Sequence, residues 1–225
     1  MSSPAPPDRR FTVGGAGEEG RRARWLMERV HLGEWGHAAE ALEAEREAIA
    51  IYRRLAAGSP GACLPELATC LTSLGVTLSE LGRHGEALEA EREAVAVHRR
   101  LAAESPGRYL ADLADTLINL GTTLAELGRR DEALEAEREA VAVYRRLAAK
   151  SPGRYLADLA AVLVDLGTTL TGRGLPVEAL PLVVEAVTIR RDLAAACPER
   201  HRAALGRAQD CLGTILSALG RPAKP

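Results

Sequence analysis

The sequence predicts an all-α fold, a right-handed α-solenoid built from antiparallel helix pairs. Three observations predict it. The pairs Leu74-Gly75, Leu120-Gly121, Leu166-Gly167 and Leu212-Gly213 recur every 46 residues, and Ala41-Leu42, Ala87-Leu88, Ala133-Leu134 and Ala179-Leu180 keep the same step. A fixed period of this size marks stacked supersecondary units. Residues 86–114 repeat as 132–160 with only His98/Tyr144 and Glu104/Lys150 differing. Apolar residues fall at steps of three and four, and no segment alternates as a strand would.

Taken in order, residues 1–19 hold Pro4, Pro6, Pro7 and Gly14-Gly15-Ala16-Gly17 and read as a disordered lead. The glycines lack the strand and the Gly-Lys-Ser/Thr of a phosphate loop, and no apolar stretch suggests a secretory signal. Helices are predicted near 20–33, 38–57, 64–81, 85–104, 110–127, 131–150, 156–172, 176–195 and 202–219. They form an array over 20–220 with repeats at about 20–63, 64–109, 110–155 and 156–201. The helix at 202–219 is a polar cap and 221–225 a tail. Within one repeat, Leu110, Leu113, Leu117, Leu120, Leu124 and Leu127 make one apolar stripe. Gly128 stands where a C-terminal cap releases the chain, Asp131 can cap the next helix, and Glu132 suits its positive end. The second helix carries Ala133, Ala136, Ala140, Val143 and Leu147 on one face and Leu134, Val141 and Ala148 beside it. It can therefore touch its partner and the next repeat. Ser151-Pro152-Gly153 reads as a break and turn, and Pro65 as the start of a helix over 64–82.

Composition narrows function. Hydrophobic residues make up 47%, charged residues 27% and aromatics 3%, with a formal net charge of -2. The core must be Ala, Leu and Val, and a strongly basic nucleic-acid binder or polybasic membrane anchor is excluded. No apolar run reaches the roughly 18 residues of a membrane span. Among 29 basic residues only Lys150 and Lys224 are lysine, a bias that suggests a GC-rich bacterial genome. Cys63, Cys70, Cys197 and Cys211 form no CxxC pair and have no His at zinc spacing, so they read as small apolar residues of a reducing cytoplasm. No HExxH, nucleophile elbow or His–Cys pair occurs. The Glu-Ala-Glu-Arg-Glu runs read as solvated helix faces with i+3 pairs. The expectation is a chain without enzymatic activity, cofactor or metal.

The Leu120-Gly121 pair, Leu124, the inter-helix Gly128, and Ala133 with Ala140 seven residues on together resemble the tetratricopeptide repeat. The 46-residue step exceeds the usual 34 and is similar to the long-helix repeats of kinesin light chains and of bacterial regulatory proteins. The resemblance implies a protein-binding superhelix whose first helices line a concave groove. Two departures stand out. Residues 21–34 lack the Leu–Gly pair and use Trp25, Leu26 and Val30. The slot four residues after the first Ala of the second helix, large and apolar in the family, holds Glu45, Glu91 and Glu137, and only then Val183. Either the long helices turn this slot to an edge, or each Glu pairs with Arg or a Thr hydroxyl. The rarity of buried Glu favours the edge.

Comparison of the copies picks out a varied stripe on the first helices, opposite the Leu ridge. It comprises Thr72, Ser73, Val76 and Ser79, then Asp115, Ile118, Asn119 and Thr122, then Val164, Asp165, Thr168 and Thr171. The second helices hardly vary. The resemblance places that stripe in the groove. The Lys/Asn clamp for a C-terminal carboxylate is missing, so an extended or helical segment with apolar and hydrogen-bonding side chains is the expected partner. Nucleic acid and membrane are not. A structural or self-associating scaffold built on Ala-rich edges, or a regulatory arm of a separate bacterial signalling enzyme, are the alternatives.

Overall fold

The computed structural model describes residues 16–31 and 38–220. Among the described residues the chain is all helix: α1 (Ala16–His31), α2 (Ala38–Gly58), α3 (Pro60–Glu80), α4 (His84–Glu104), α5 (Pro106–Glu126), α6 (Arg130–Lys150), α7 (Pro152–Gly172), α8 (Pro176–Ala196) and α9 (Pro198–Gly220). Successive helices pack as antiparallel pairs, each against the one before and the one after. The result is a solenoid with α3, α5, α7 and α9 as leading helices and α2, α4, α6 and α8 as trailing ones. Of the expected lead, residues 16–19 belong to α1. The rest of it, residues 32–37 and the tail 221–225 lie outside the described residues.

The expected Ser-Pro-Gly turn does not exist. Each leading helix starts four residues earlier than expected, with Pro60, Pro106 or Pro152 at its first position. Proline costs nothing there, because the first N–H groups of a helix have no partner and its φ already suits a helix. Ser105 alone joins α4 to α5, and its N–H donates to Leu101 O at 2.8 Å. Pro65 falls inside α3 instead of opening it. The other connection is a Schellman turn. Gly128 takes φ +73°, its N–H donates to Ala125 O (2.9 Å), and Arg129 N–H donates to Leu124 O (2.8 Å). Gly82 and Gly174 repeat it. Arg129, not Asp131, is the N-cap residue of α6, and it makes no side-chain cap bond. Its guanidinium instead folds onto Glu132 at 2.6 and 2.7 Å.

The core is the Leu stripe of each leading helix against Ala and Val of the trailing ones. Leu117, Leu163, Leu170 and Val183 are all within 1% of full burial. The Leu–Gly pair works by close approach. Gly75, Gly121 and Gly167 face Glu91, Glu137 and Val183 of the following trailing helix, whereas no atom comes within 4 Å of a Cβ built on Gly213. Helix α7 is long and apolar enough, by length and composition, to cross a membrane, which corrects the expectation that no segment is. In this fold it is a core helix packed on α6, α8 and α9. Of the thiols, Cys70 is buried, and burial pushes its pKa up to about 12. Cys197 is exposed, contrary to the expected packing role.

The slot occupied by glutamate is interior, which overturns the edge reading. Glu45 is 0% and Glu91 1% exposed, and Glu137 is half-buried. The hydroxyls of Ser73 and Thr77 donate to Glu45 Oε1 (2.6 and 3.2 Å), Thr123 donates to Glu91 (3.0 Å), and Thr169 to Glu137 (3.1 Å). In the fourth copy Val183 and Ile215 take these two slots and are fully buried.

The Glu and Arg of the trailing helices do more than solvate a face. Arg46–Glu86, Arg92–Glu132 and Arg138–Glu178 close at 2.7, 3.0 and 2.8 Å. Arg53–Glu93, Arg99–Glu139 and Arg145–Glu185 form a second line. All six join one trailing helix to the next, so they form a ladder along the outside of the stack. Exposed pairs contribute at most about 1 kcal/mol each. Arg99→Ala is therefore expected to cost under about 1 kcal/mol, with the loss shrinking in molar salt. Urea denaturation at low and high salt measures this, and a salt-independent loss of several kcal/mol would contradict an exposed ladder.

Candidate partner-binding groove

Leading helices touch one another across repeats, α3 with α5 and α7 with α9, and no two trailing helices come as close. The stack therefore curves toward the leading side, and the varied stripe lies on that side. Its members divide into two groups. Val76, Thr122, Thr168, Asp115 and Asp165 are exposed, and Asn119, Ser79 and Thr171 half-buried. The rest serve packing between repeats. Ser73 donates to buried Glu45, Thr72 lies 3.3 Å from the Thr116 hydroxyl, and Ile118 and Val164 rest on the core. Several threonines donate back to the carbonyl four residues earlier, as Thr122 does to Ile118 (3.1 Å) and Thr168 to Val164 (2.9 Å). Their methyl and hydroxyl groups are thus held in fixed orientations.

Two open pockets indent this face between α3 and α5. One, of about 320 Å³, has Val76, Ser79, Asn119 and Thr122 around it and Glu91 on its inner wall. The other, of about 360 Å³, joins Thr72, Ser73, Asp112 and Asp115 with His98. The expected residues thus come together as two depressions, with a further segment at Val164, Asp165 and Thr168 on α7.

Sequence reasoning missed the trailing-helix residues that reach through to this face. Tyr52, His98, Tyr144 and Arg190 share one slot of the repeat, and all are buried. His98 is therefore packed in the interior. Tyr144 donates its hydroxyl to Asp115. Burial lowers the His98 pKa, against the pull of Asp112 and Asp115, and so favours a neutral imidazole. Burial also raises Asp115, offset by the Tyr144 hydrogen bond, and raises Asp165, offset by Arg190 and Arg207. The signal was available: one polar slot recurring at the 46-residue step amid apolar neighbours. Among the described residues no three or more His, Cys, Asp or Glu are grouped to hold a metal ion.

Stacked helix pairs joined by Schellman turns, with two depressions between leading helices α3 and α5, define a tetratricopeptide-like, all-helical repeat protein. A family model described as tetratricopeptide repeat matches residues 67–106 and 113–150, which are the α3–α4 and α5–α6 copies. The solved structure of BtubC (BKLC) from P. vanneervenii is similar at 19% identity over 91% of this chain and 83% of that one, with a TM-score of 0.59. A kinesin light chain with nearly identical TPR-like repeats from Podosopora anserina is similar at 16% identity, over 95% of this chain and 100% of that one, with a TM-score of 0.55. The apo form of RapI matches at 14% identity and TM-score 0.61, over 89% of this chain but 54% of the longer RapI chain. Identities this low report a shared fold. None of the curated proteins matches the sequence.

Proposed function

We propose that the chain is a non-catalytic protein-interaction module that holds a peptide or a helix of a partner protein along the leading-helix face. One observation carries this reading: side chains that vary between the copies, among them Thr72, Ser73, Val76 and Asn119, line two open pockets on the leading-helix face. The 46-residue step and the 21-residue helices support a kinesin-light-chain-like variety of the repeat. The free thiols support a reducing, cytoplasmic setting. Joint replacement of Asn119, Thr122 and Asp165 by Ala is expected to weaken partner capture at least about tenfold at unchanged helicity. Pull-down beside circular dichroism measures both, and undiminished capture rejects the groove.

A second reading, self-association, is favoured by apolar side chains exposed at one end of the stack, where Val177 is 74% and Leu216 53% exposed. Light scattering that shows only monomer up to millimolar concentration rejects it. A regulatory arm for a separate signalling enzyme is compatible with the groove and would use the same face.

A further inference from the structure

We infer that the pocket between α3, α4 and α5 receives a cationic side chain, a lysine ammonium or an arginine guanidinium, of the partner segment, with buried Glu91 as its counter-ion. The inference rests on the groove reading and specifies the chemistry of what the groove holds.

Glu91 is 1% exposed, and one oxygen of its carboxylate accepts from Thr123. The other, Oε2, is buried without a hydrogen-bond partner, although the same side chain lines the pocket wall. A buried carboxylate with an idle oxygen is unfavourable unless something positive or donating meets it. Packing does not require it, because Val183 and Ile215 fill the equivalent slots in the fourth copy with no loss of burial. The pocket is also electrostatically one-sided. Glu80 and Glu126, exposed at the ends of α3 and α5, stand at its mouth, and the one basic side chain lining it is the imidazole of His84. Val76 and the Thr122 methyl suit the aliphatic stem of a long cation, and Asn119 offers a carbonyl oxygen to its head. One repeat further on, Gly172 replaces Glu126, so the acidic mouth is not repeated there.

An ammonium entering the pocket would meet the neutral or charged form of Glu91. In the neutral case the carboxyl proton passes to solvent as the ion pair forms, so binding near neutral pH releases protons. The probes are three blocked pentapeptides, acetyl-Ala-Leu-X-Leu-Ala-amide, with X lysine, acetyl-lysine or norleucine, titrated into the full chain and followed by amide NMR shifts. The lysine peptide is expected to bind at least about tenfold tighter than the other two, with shifts centred on Val76, Asn119 and Thr122. Glu91→Gln is expected to remove that preference and leave norleucine binding unchanged. The pair Glu91→Val with Thr123→Ile, which the fourth copy shows to pack, should do the same if the single variant folds poorly. Equal binding of the three peptides, or a lysine preference that survives loss of Glu91, overturns the cation site while leaving the groove standing. Absence of shifts with all three at millimolar concentration also overturns the cation site. The groove reading is judged separately, by the capture experiment on Asn119, Thr122 and Asp165.

Discussion

Replacing Glu91 by Val together with Thr123 by Ile is expected to stabilise the protein by about 3 kcal/mol at pH 8 and far less at pH 4. The cause is burial, which pushes the Glu91 carboxyl from 4.5 up to about 7, with the Thr123 hydroxyl pulling the other way. Below 4.5 the group is protonated in the folded and unfolded chain alike and costs nothing. Between 4.5 and about 7 the unfolded chain gives up its proton while the folded chain keeps it, so stability falls as pH rises. Above 7 the loss is complete, on the order of 2.5 pH units at about 1.36 kcal/mol each. The paired substitution matters. Glu91→Val alone leaves the Thr123 hydroxyl without its acceptor, which costs about 1–3 kcal/mol unless it turns to the carbonyl four residues back. Urea denaturation at the two pH values checks this, and a gain of equal size at both would show that Glu91 is not held neutral by burial.

Gly167→Ala is expected to destabilise the protein by about 2 kcal/mol. A Cβ there would overlap Cγ2 of Val183, which is fully buried and β-branched and so cannot swing aside in a helix. The gain in helix propensity, at most about 1 kcal/mol, does not offset that overlap. Gly213→Ala serves as the control. It is the same residue of the same motif in α9, but no neighbour lies within 4 Å of the new methyl. It should stabilise by about 0.5–1 kcal/mol. Gly121→Ala should fall between them, since its Cβ would sit 3.3 Å from Cγ of the more flexible Glu137. Thermal denaturation of the three variants ranks them. A stabilising Gly167→Ala would mean that α7 and α8 have room to move apart.

Much of this architecture was legible in the chain. The 46-residue step and the Leu stripes gave the helix pairs and their order. Gly128 marked the Schellman turn, because a helix end with positive φ selects glycine. Helix starts were not legible, since Ser-Pro-Gly is both a turn signal and a good first turn of a helix. What decides between them is that a single residue, Ser105, suffices to join the end of α4 at Glu104 to the start of α5 at Pro106. The glutamate slot was misplaced by arguing from the rarity of buried Glu. A better signal lay in the same sequence: Glu45, Glu91 and Glu137 occur with Thr77, Thr123 and Thr169 thirty-two residues on, and when the first becomes Val183 the second becomes Ile215. Two positions that change together within one chain are in contact. The varied stripe was legible, but not which of its members open to solvent and which, like Ser73, are taken up by a neighbouring repeat.

The sequence by itself determined the helical class, the stacking of equivalent units and the face of each helix that is apolar, because those follow from local periodicity and from self-similarity. Only the tertiary structure decided which residue of one unit meets which of the next. The ladder runs from Arg92 to Glu132, forty residues on and not forty-six, because each trailing helix meets the one before and the one after through different faces. That pairing is set by how side chains interlock between packed helices. No spacing within a single helix encodes it, and the same interlocking leaves one oxygen of Glu91 buried beside an open pocket.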